Sequence, residues 1–477
     1  MIRRTKIVAT LGPATDTPLV LPALVAAGAD VLRLNFSHGS HEDHARRARL
    51  ARDAAARLNR DVALLADLQG PKIRIESFAK GPIELREGDS FTLDTALGAA
   101  AGDQTVVGCA YHDLPRDVAP GDTLLLNDGA IALRVETVEG TRIQTKVLIG
   151  GALSNRKGIN RLGGGLSAAA LTDKDRADIR AAAAIDVDFI AISFPRSAND
   201  MYEARRLVSD AGSKAQLVAK IERAEALEAL EEIIDASDAV MVARGDLGVE
   251  IGDAELPGWQ KRIILAARDK NKMVITATQM MESMIVNPIP TRAEVLDVAN
   301  AVMDGSDAVM LSAETASGKH PVRVVDAMVR VILGAEKSIV GRGEKFARRL
   351  ETHFSRTDEA IAMATTWTAQ NMHAQAIIAL TESGSTALMM SRTETEIPIY
   401  ALTQHERTRR RMCLCRGVYP IEFIPTKLDT LAPVREAVSC VEQRGFIKTG
   451  DRVLITKGDF TGPGGTNALK IVTVGET

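Results

Sequence analysis

The residues best placed to do chemistry are Lys220-Ile221-Glu222 and Gly245-Asp246. Lys220 closes the apolar run Gln216-Leu217-Val218-Ala219, and Glu222 lies two residues on. The next apolar run, Ala239 to Ala243, delivers Arg244-Gly245-Asp246. An ammonium and two carboxylates thus leave the ends of two neighbouring predicted strands. Paired carboxylates suit a magnesium ion, which keeps positions for water and substrate oxygens. An ammonium beside such an ion suits an anion, above all a phosphate. The same Lys-x-Glu pattern also serves as a plain salt bridge at a strand end.

The elements that must position these groups alternate in type. Apolar runs at Thr5–Thr10, Val31–Leu34 and Val62–Ala66 are separated by helical stretches, one stopped by Gly28 and one capped by Ser40 with Asp43. The alternation breaks between 71 and 166. There, short β-like pieces such as Thr123–Leu126, Ile131–Val138 and Arg142–Ile149 are split by turn signals, among them Pro120-Gly121-Asp122 and Asp128-Gly129. That pattern predicts a small all-β domain, with the glycine-rich, basic Gly158–Gly165 as a hinge. The βα rhythm resumes at Thr172, a predicted helix cap. Runs follow at Phe189–Ile192, Gln216–Ala219, Ala239–Ala243, Met273–Ile275 and Ala308–Leu311. The helix after Pro290 carries a capping box, Thr291 with Glu294, and an expected apolar face of Val295, Val298, Ala299, Val302 and Met303.

Three runs before the insertion and five after it give eight βα units. The prediction is an α/β chain whose catalytic domain, 1–70 and 167–340, is a (β/α)8 TIM barrel. The inserted small all-β domain spans 71–166. A C-terminal open-sheet α/β domain spans 341–477, with strands near 377–380, 399–402, 419–424, 453–456 and 471–474. Sites gather at the carboxyl ends of barrel strands. Polar residues stand there: Asn35 and Ser37, Asp67, Ser193, Lys220 and Glu222, Asp246, Thr276 and Thr278, Ser312 and Glu314. In the last domain, the loop Thr381-Glu382-Ser383-Gly384-Ser385-Thr386 precedes a predicted helix. Its hydroxyls and free amides fit either a phosphate site or an ordinary cap.

Composition narrows the classes. The 477 residues are 45% hydrophobic and 25% charged, as in a soluble globular chain of several domains. A net charge of -3 gives no bulk attraction to nucleic acid or anionic membrane. Cys109, Cys413, Cys415 and Cys440 complete no zinc spacing with histidine, so reduced thiols in a cytoplasm are expected. Neither a signal peptide nor a membrane span is predicted.

Several longer motifs are specific. They are Leu32-Arg33-Leu34-Asn35-Phe36-Ser37-His38-Gly39, Asp67 to Arg74, Lys220 to Glu222, Met241 to Val249, and Thr276 to Met284. In these the chain resembles the pyruvate kinase family, in a bacterial form closer to the type not controlled by fructose 1,6-bisphosphate. The similarity runs through barrel and insertion and continues more weakly into the last domain. The resemblance implies a phosphotransferase that moves the phosphoryl group of phosphoenolpyruvate to ADP, giving pyruvate and ATP. It implies that Glu222 and Asp246 hold Mg2+ or Mn2+. Lys220 would neutralise charge on the transferring group and the enolate. Arg33, with Ser193 nearby, would bind the phosphate. The backbone of Gly245 and Asp246, with the Thr278 hydroxyl, would hold the substrate carboxylate. Thr278 and Ser312 with bound water would relay the final proton. His38, Arg74 and Lys157 match nucleotide-binding positions, the last in the inserted domain, which the resemblance implies is a β-barrel lid that closes to exclude water. A homotetramer is implied, and an effector site in the last domain.

The chain departs from that pattern at one place. Potassium-dependent members carry Glu at the position of Lys72 and a hydroxyl residue at that of Leu68. Asn35, Ser37 and Asp67 still form a possible monovalent pocket, but the Lys72 ammonium is expected to replace the potassium ion. Thr381, Ser383, Ser385 and Thr386 match the family's phosphate loop, and a sugar monophosphate or AMP is the expected activator. The competing reading is that this domain only builds the oligomer. Two rival functions stand beside the kinase: a lyase or aldolase acting on pyruvate with the same metal pair, and a former enzyme that only binds a metabolite.

Overall fold

Strand-length apolar runs buried on both faces build a closed parallel barrel in a computed structural model. The structure describes residues 2–338, 354, 356–393, 395–426, 432–458 and 465–476. The eight strands are β1 (Lys6–Leu11), β2 (Val31–Asn35), β3 (Ala63–Asp67), β4 (Phe189–Ile192), β5 (Gln216–Ile221), β6 (Ala239–Ala243), β7 (Met273–Ala277) and β8 (Ala308–Leu311). They pair in sequence order around the ring, and β1 closes on β8 with Ile7 opposite Val309. The predicted helix starts hold. The hydroxyls of Ser40, Thr172 and Thr291 accept from the amides of Asp43, Asp175 and Glu294 at 3.2, 3.1 and 3.2 Å. On the helix Arg292–Asp304 the buried stripe is Val298, Ala301 and Val302; the expected Val295, Ala299 and Met303 are half-buried.

The amino-terminal rim repeats every second strand. Asp30, Asp188, Asp238 and Asp307 immediately precede β2, β4, β6 and β8. Each accepts the amide of the second residue of the strand before: Ile7, Leu64, Leu217 and Val274, at 2.9, 2.8, 2.7 and 2.9 Å. An arginine neutralises each carboxylate: Arg3, Arg52, Arg205 and Arg392 respectively.

The segment between β3 and β4 folds on its own core, which includes Ile75, Phe91, Leu124, Leu133 and Ile143. Its main sheet orders Ile159–Arg161, Thr123–Leu126, Ile131–Glu139, Arg142–Ile149, Ser90–Asp94 and Val106–Gly108. Strict in–out alternation along 142–147 is the half-buried pattern that singled these strands out.

The C-terminal sheet orders Val418–Glu422, Ile399–Thr403, Ala376–Leu380, Arg452–Gly458 and Thr466–Thr473. Four strands are parallel; the last returns antiparallel, so that connection needs no crossover helix. Arginines of this part lie on the barrel's acidic rim. Arg410 Nε stands 2.7 Å from Asp188, Arg409 Nε 3.2 Å from Asp61, and Arg392 pairs with Asp307 with both side chains fully buried. Among the described residues, no helix is long and apolar enough to cross a membrane.

Candidate active site

At the opposite, carboxyl-terminal rim, the ends of β3, β4 and β5 converge on one ammonium. Lys220 is the penultimate residue of β5, in register with Met241 of β6. Its Nζ lies 2.8 Å from Glu222 Oε1 and 3.2 Å from Asp67 Oδ1, and donates to Ser193 Oγ at 2.7 Å. Ser193 in turn donates to the Leu68 carbonyl at 2.7 Å. Arg33 donates through Nε to Asp67 Oδ2 at 2.7 Å and through a terminal nitrogen to Thr10 Oγ1 at 3.0 Å. Lys220 and Arg33 therefore share one buried carboxylate.

The electrostatics follow from burial. Taking Lys220 out of water disfavours its ammonium, but Asp67 and Glu222 outweigh that and hold its pKa above the lysine range. Burial would raise Asp67, yet Lys220 and Arg33 keep it below the usual carboxylate value. Glu222 goes the other way. Burial pushes it up to about 7, with Lys220 opposing and Asp246 adding to the rise. Its second oxygen accepts the Phe194 amide at 2.9 Å, and Phe194 holds a left-handed φ of 55° to present it. Even with the Lys220 ammonium 2.8 Å away, burial and Asp246 keep the Glu222 carboxylate disfavoured, so the charge of the Glu222–Asp246 pair fits a further, divalent cation. Among the described residues, no cluster of three His, Cys, Asp or Glu side chains could hold a metal. Magnesium is commonly held by one or two carboxylates together with substrate and water oxygens.

After β6, the helix Arg244–Ile251 begins with Gly245 and Asp246 in its first turn. The Gly245 amide donates to Thr278 Oγ1 at 2.8 Å, and that hydroxyl donates to the Ala277 carbonyl at 2.6 Å. A Cβ added at Gly245 would stand 3.7 Å from Thr278, an ordinary contact, so crowding within the protein does not require glycine there. Thr278 and Gln279 take φ of 70° and 54°. For a β-branched residue that conformation is strained, and such strain concentrates at functional sites. Arg244 holds the turn: it donates to the carbonyls of Ala277 and Thr278 at 3.2 and 2.6 Å and pairs with Asp297 at 2.6 and 2.8 Å. Lys72 Nζ lies 3.5 Å from Asp246 Oδ1.

Other expected residues fall into place unevenly. Arg74 and Lys157 are close neighbours in the insertion, with Arg74 bridged to Gly158 and the Lys157 carbonyl accepting the Ile75 amide at 2.9 Å. His38 is exposed on the barrel rim. In the monovalent pocket, Asn35 Oδ1 accepts the Ser37 amide at 3.2 Å, while both Asp67 oxygens are engaged by Arg33 and Lys220. The Ser312 amide donates to Glu314 at 2.6 Å. Thr276 is a correction. It lies inside β7, fully buried, and bonds Ser306 at 2.7 Å on the neighbouring wall, away from the site. In the C-terminal loop, Thr381 Oγ1 caps the Gly384 amide at 2.9 Å, Ser383 Oγ accepts the Ser385 amide at 3.4 Å, and Thr386 Oγ1 is buried against Thr466 Oγ1 at 2.7 Å. Residues 459–464, within the glycine-rich stretch 458–465, lie outside the described residues. Sequence reasoning missed Thr10, Arg244 and Phe194. Thr10 had a signal, a lone hydroxyl in an apolar strand. Phe194 had none.

Two family models match: pyruvate kinase, barrel domain, over residues 2–325, and pyruvate kinase, alpha/beta domain, over 359–472. The chain belongs to the pyruvate kinase family. It is 55% identical to pyruvate kinase II of Salmonella typhimurium over 478 residues, covering 99% of each chain. It is 52% identical to the pyruvate kinase of Haemophilus influenzae, covering 96% of each, and 40% identical to that of Thermotoga maritima, covering 99% of this chain and all of the relative. Membership of the pyruvate kinase family makes it a phosphotransferase and implies phosphoenolpyruvate and ADP as substrates. It sets the lyase reading aside.

Proposed function

We propose that phosphoryl transfer from phosphoenolpyruvate to ADP runs on the face formed by Arg33, Ser193, Lys220, Glu222, Gly245, Asp246 and Thr278. The observation that carries this is the pairing of Lys220 and Arg33 on Asp67, 3.2 and 2.7 Å away. The shared carboxylate fixes two cations side by side, as suits a dianionic phosphate monoester. Lys220 stays protonated and stabilises charge on the transferring group and on the enolate oxygen. Arg33 orients the phosphate. The Gly245 amide, now on Thr278, would pass with the Thr278 hydroxyl to the substrate carboxylate. Ser312 and Thr278 with water would return a proton to the enolate carbon. Glu222 and Asp246 would hold Mg2+ or Mn2+, which when bound neutralises phosphate charge. Preorganised positive charge accounts for the catalysis, with no covalent step on the protein.

The barrel, 1–70 and 167–340, is the catalytic domain in this reading, and 71–166 is a lid. Arg74 and Lys157 on the lid, with His38 on the rim, bind the nucleotide, and lid closure excludes water so that ADP is the acceptor. Lys72 takes the place of potassium, leaving Asn35, Ser37 and Asp67 as a vestigial pocket. The domain 341–477 binds a sugar monophosphate or AMP through Thr381, Ser383, Ser385 and Thr386. The assembly in this reading is a homotetramer, and the exposed apolar residues Val286, Ile289 and Leu296, at 55, 70 and 70% exposure near one helix start, support a contact surface between subunits. Reduced cysteines, three of them buried, support a cytoplasmic setting.

The deciding experiment is pyruvate release from phosphoenolpyruvate and ADP with magnesium in potassium-free buffer. Rapid turnover is expected. Silence with potassium and sugar phosphates added would overturn the reading.

A further inference from the structure

The insertion joins the barrel through two linkers, and the returning one, 158–166, is gripped by barrel residues. The Glu250 carbonyl accepts the Gly163 amide at 2.8 Å, and Glu250 Oε1 accepts from Asn160 Nδ2 at 3.4 Å. Its other carboxylate oxygen accepts the Ala224 amide at 2.9 Å, two residues beyond Glu222. Glu225 Oε1 takes the Gly165 amide, and Arg223 donates to the Leu166 carbonyl at 2.8 Å. Gly163, Gly164 and Gly165 hold φ of 84°, 78° and 96°, conformations open to glycine, and Gly164 is held within the linker, its amide donating to the Arg161 carbonyl at 3.0 Å and its carbonyl accepting from Arg161 at 2.8 Å, so the linker is pinned along its length.

Glu250 is 4% exposed and belongs to the helix Arg244–Ile251, whose first turn carries Gly245 and Asp246. Four positions separate Asp246 from Glu250, so they lie on one helix face about one turn apart, some 6 Å along the axis. Both line the same cavity, together with Lys72, Asn160, Phe194 and Arg223. One short rigid helix thus bears the proposed metal and carboxylate contacts at one end and the linker of the insertion at the other.

We propose that Glu250 is a positioning residue that couples closure of the lid to occupation of the Gly245–Asp246 turn. The inference rests on the reading of the insertion as a lid. Substrate seated at Asp246 fixes the helix, and Glu250 transmits that setting to Asn160 and Gly163. With the coupling broken, the lid closes less often over bound phosphoenolpyruvate. Water then competes with ADP: its oxygen bonds phosphorus, the bond from phosphorus to the enol oxygen breaks, inorganic phosphate forms, and the enolate takes a proton to give pyruvate.

The test compares Glu250→Ala and Asn160→Ala in the full-length enzyme with magnesium. The readouts are phosphate released per ATP formed, the KM for ADP, and phosphoenolpyruvate binding by calorimetry. The expected result is a rise of about tenfold in the phosphate-to-ATP ratio and a several-fold higher KM for ADP, with phosphoenolpyruvate affinity within about twofold of wild type. Asn160→Ala removes only the insertion's side of the contact and decides the matter where Glu250→Ala fails to fold. An unchanged ratio, even with lowered thermal stability, makes Glu250 a structural hinge residue and overturns the coupling. Lys157→Ala tests the lid reading separately. Unchanged ADP saturation there overturns the lid itself, whereas weakened ADP binding there beside unchanged ratios in the other two variants overturns only the coupling.

Discussion

Lys72 Nζ stands 3.5 Å from Asp246 Oδ1, an ammonium from the start of the insertion facing a carboxylate on the barrel's catalytic rim. The cation is thus part of the covalent chain at a place where potassium-dependent relatives are expected to carry glutamate. Turnover in a sodium- and potassium-free assay should rise less than about twofold on adding potassium. Lys72→Glu should lose most activity in that buffer and recover part of it with potassium. Strong stimulation of the wild type would refute the substitution of lysine for the ion.

Lys220 is the group on which Asp67, Glu222 and Ser193 converge. Lys220→Met should lower kcat by roughly 100- to 1,000-fold, about 3–4 kcal/mol, by analogy with removing one preorganised donor. Calorimetric binding of phosphoenolpyruvate should fall far less than kcat. A loss confined to binding would place Lys220 outside the transition state.

Arg392 and Asp307 are both fully buried and paired. Burial would raise Asp307, but Arg392 outweighs it and holds the carboxyl low. Arg392→Met leaves that carboxylate in the dark interior and should cost about 3–5 kcal/mol in denaturant unfolding. The deficit should shrink as pH falls, because the wild type loses the pair's stabilisation once Asp307 is protonated. A pH-independent deficit would point to packing instead.

Burial pushes Glu250 up to about 7 from a usual 4.5; the Ala224 amide opposes this and Glu225 adds to it. Between those values the folded protein binds the proton and the unfolded chain does not. Stability attributable to this group therefore falls as pH rises through the window, and the full cost stands above pH 7. The unfolding free energy of Glu250→Gln relative to wild type should shift in the variant's favour by up to about 3 kcal/mol between pH 5 and 8. A constant gap would mean that the carboxylate ionises normally.

The barrel was legible because its strands read as apolar runs with capped helices between them, and Lys220, Glu222 and Asp246 stood out as charges at the ends of such runs. The ion pairs were not legible. Asp67 meets Arg33 and Lys220 only when the ring closes, and nothing local distinguishes an aspartate that will neutralise cations from one that will coordinate potassium. Thr276 misled because a hydroxyl near a strand end reads the same whether it faces the mouth or the wall. The Thr386 contact was not legible either: its partner, Thr466, comes from the far strand of the C-terminal sheet. Glu250 was hidden as one acid in a helix, its meaning dependent on a linker nearly a hundred positions away.

The alternating aspartates at the base have a mechanical consequence. The C-terminal arginines Arg410 and Arg392 fasten to Asp188 and Asp307, the anchors of β4 and β8. In a ring of eight these two staves are diametrically opposite. A rotation of the C-terminal part would therefore enter the barrel as a couple, twisting opposite sides in opposite senses. The far ends of those two staves lead directly into Ser193 and Ser312.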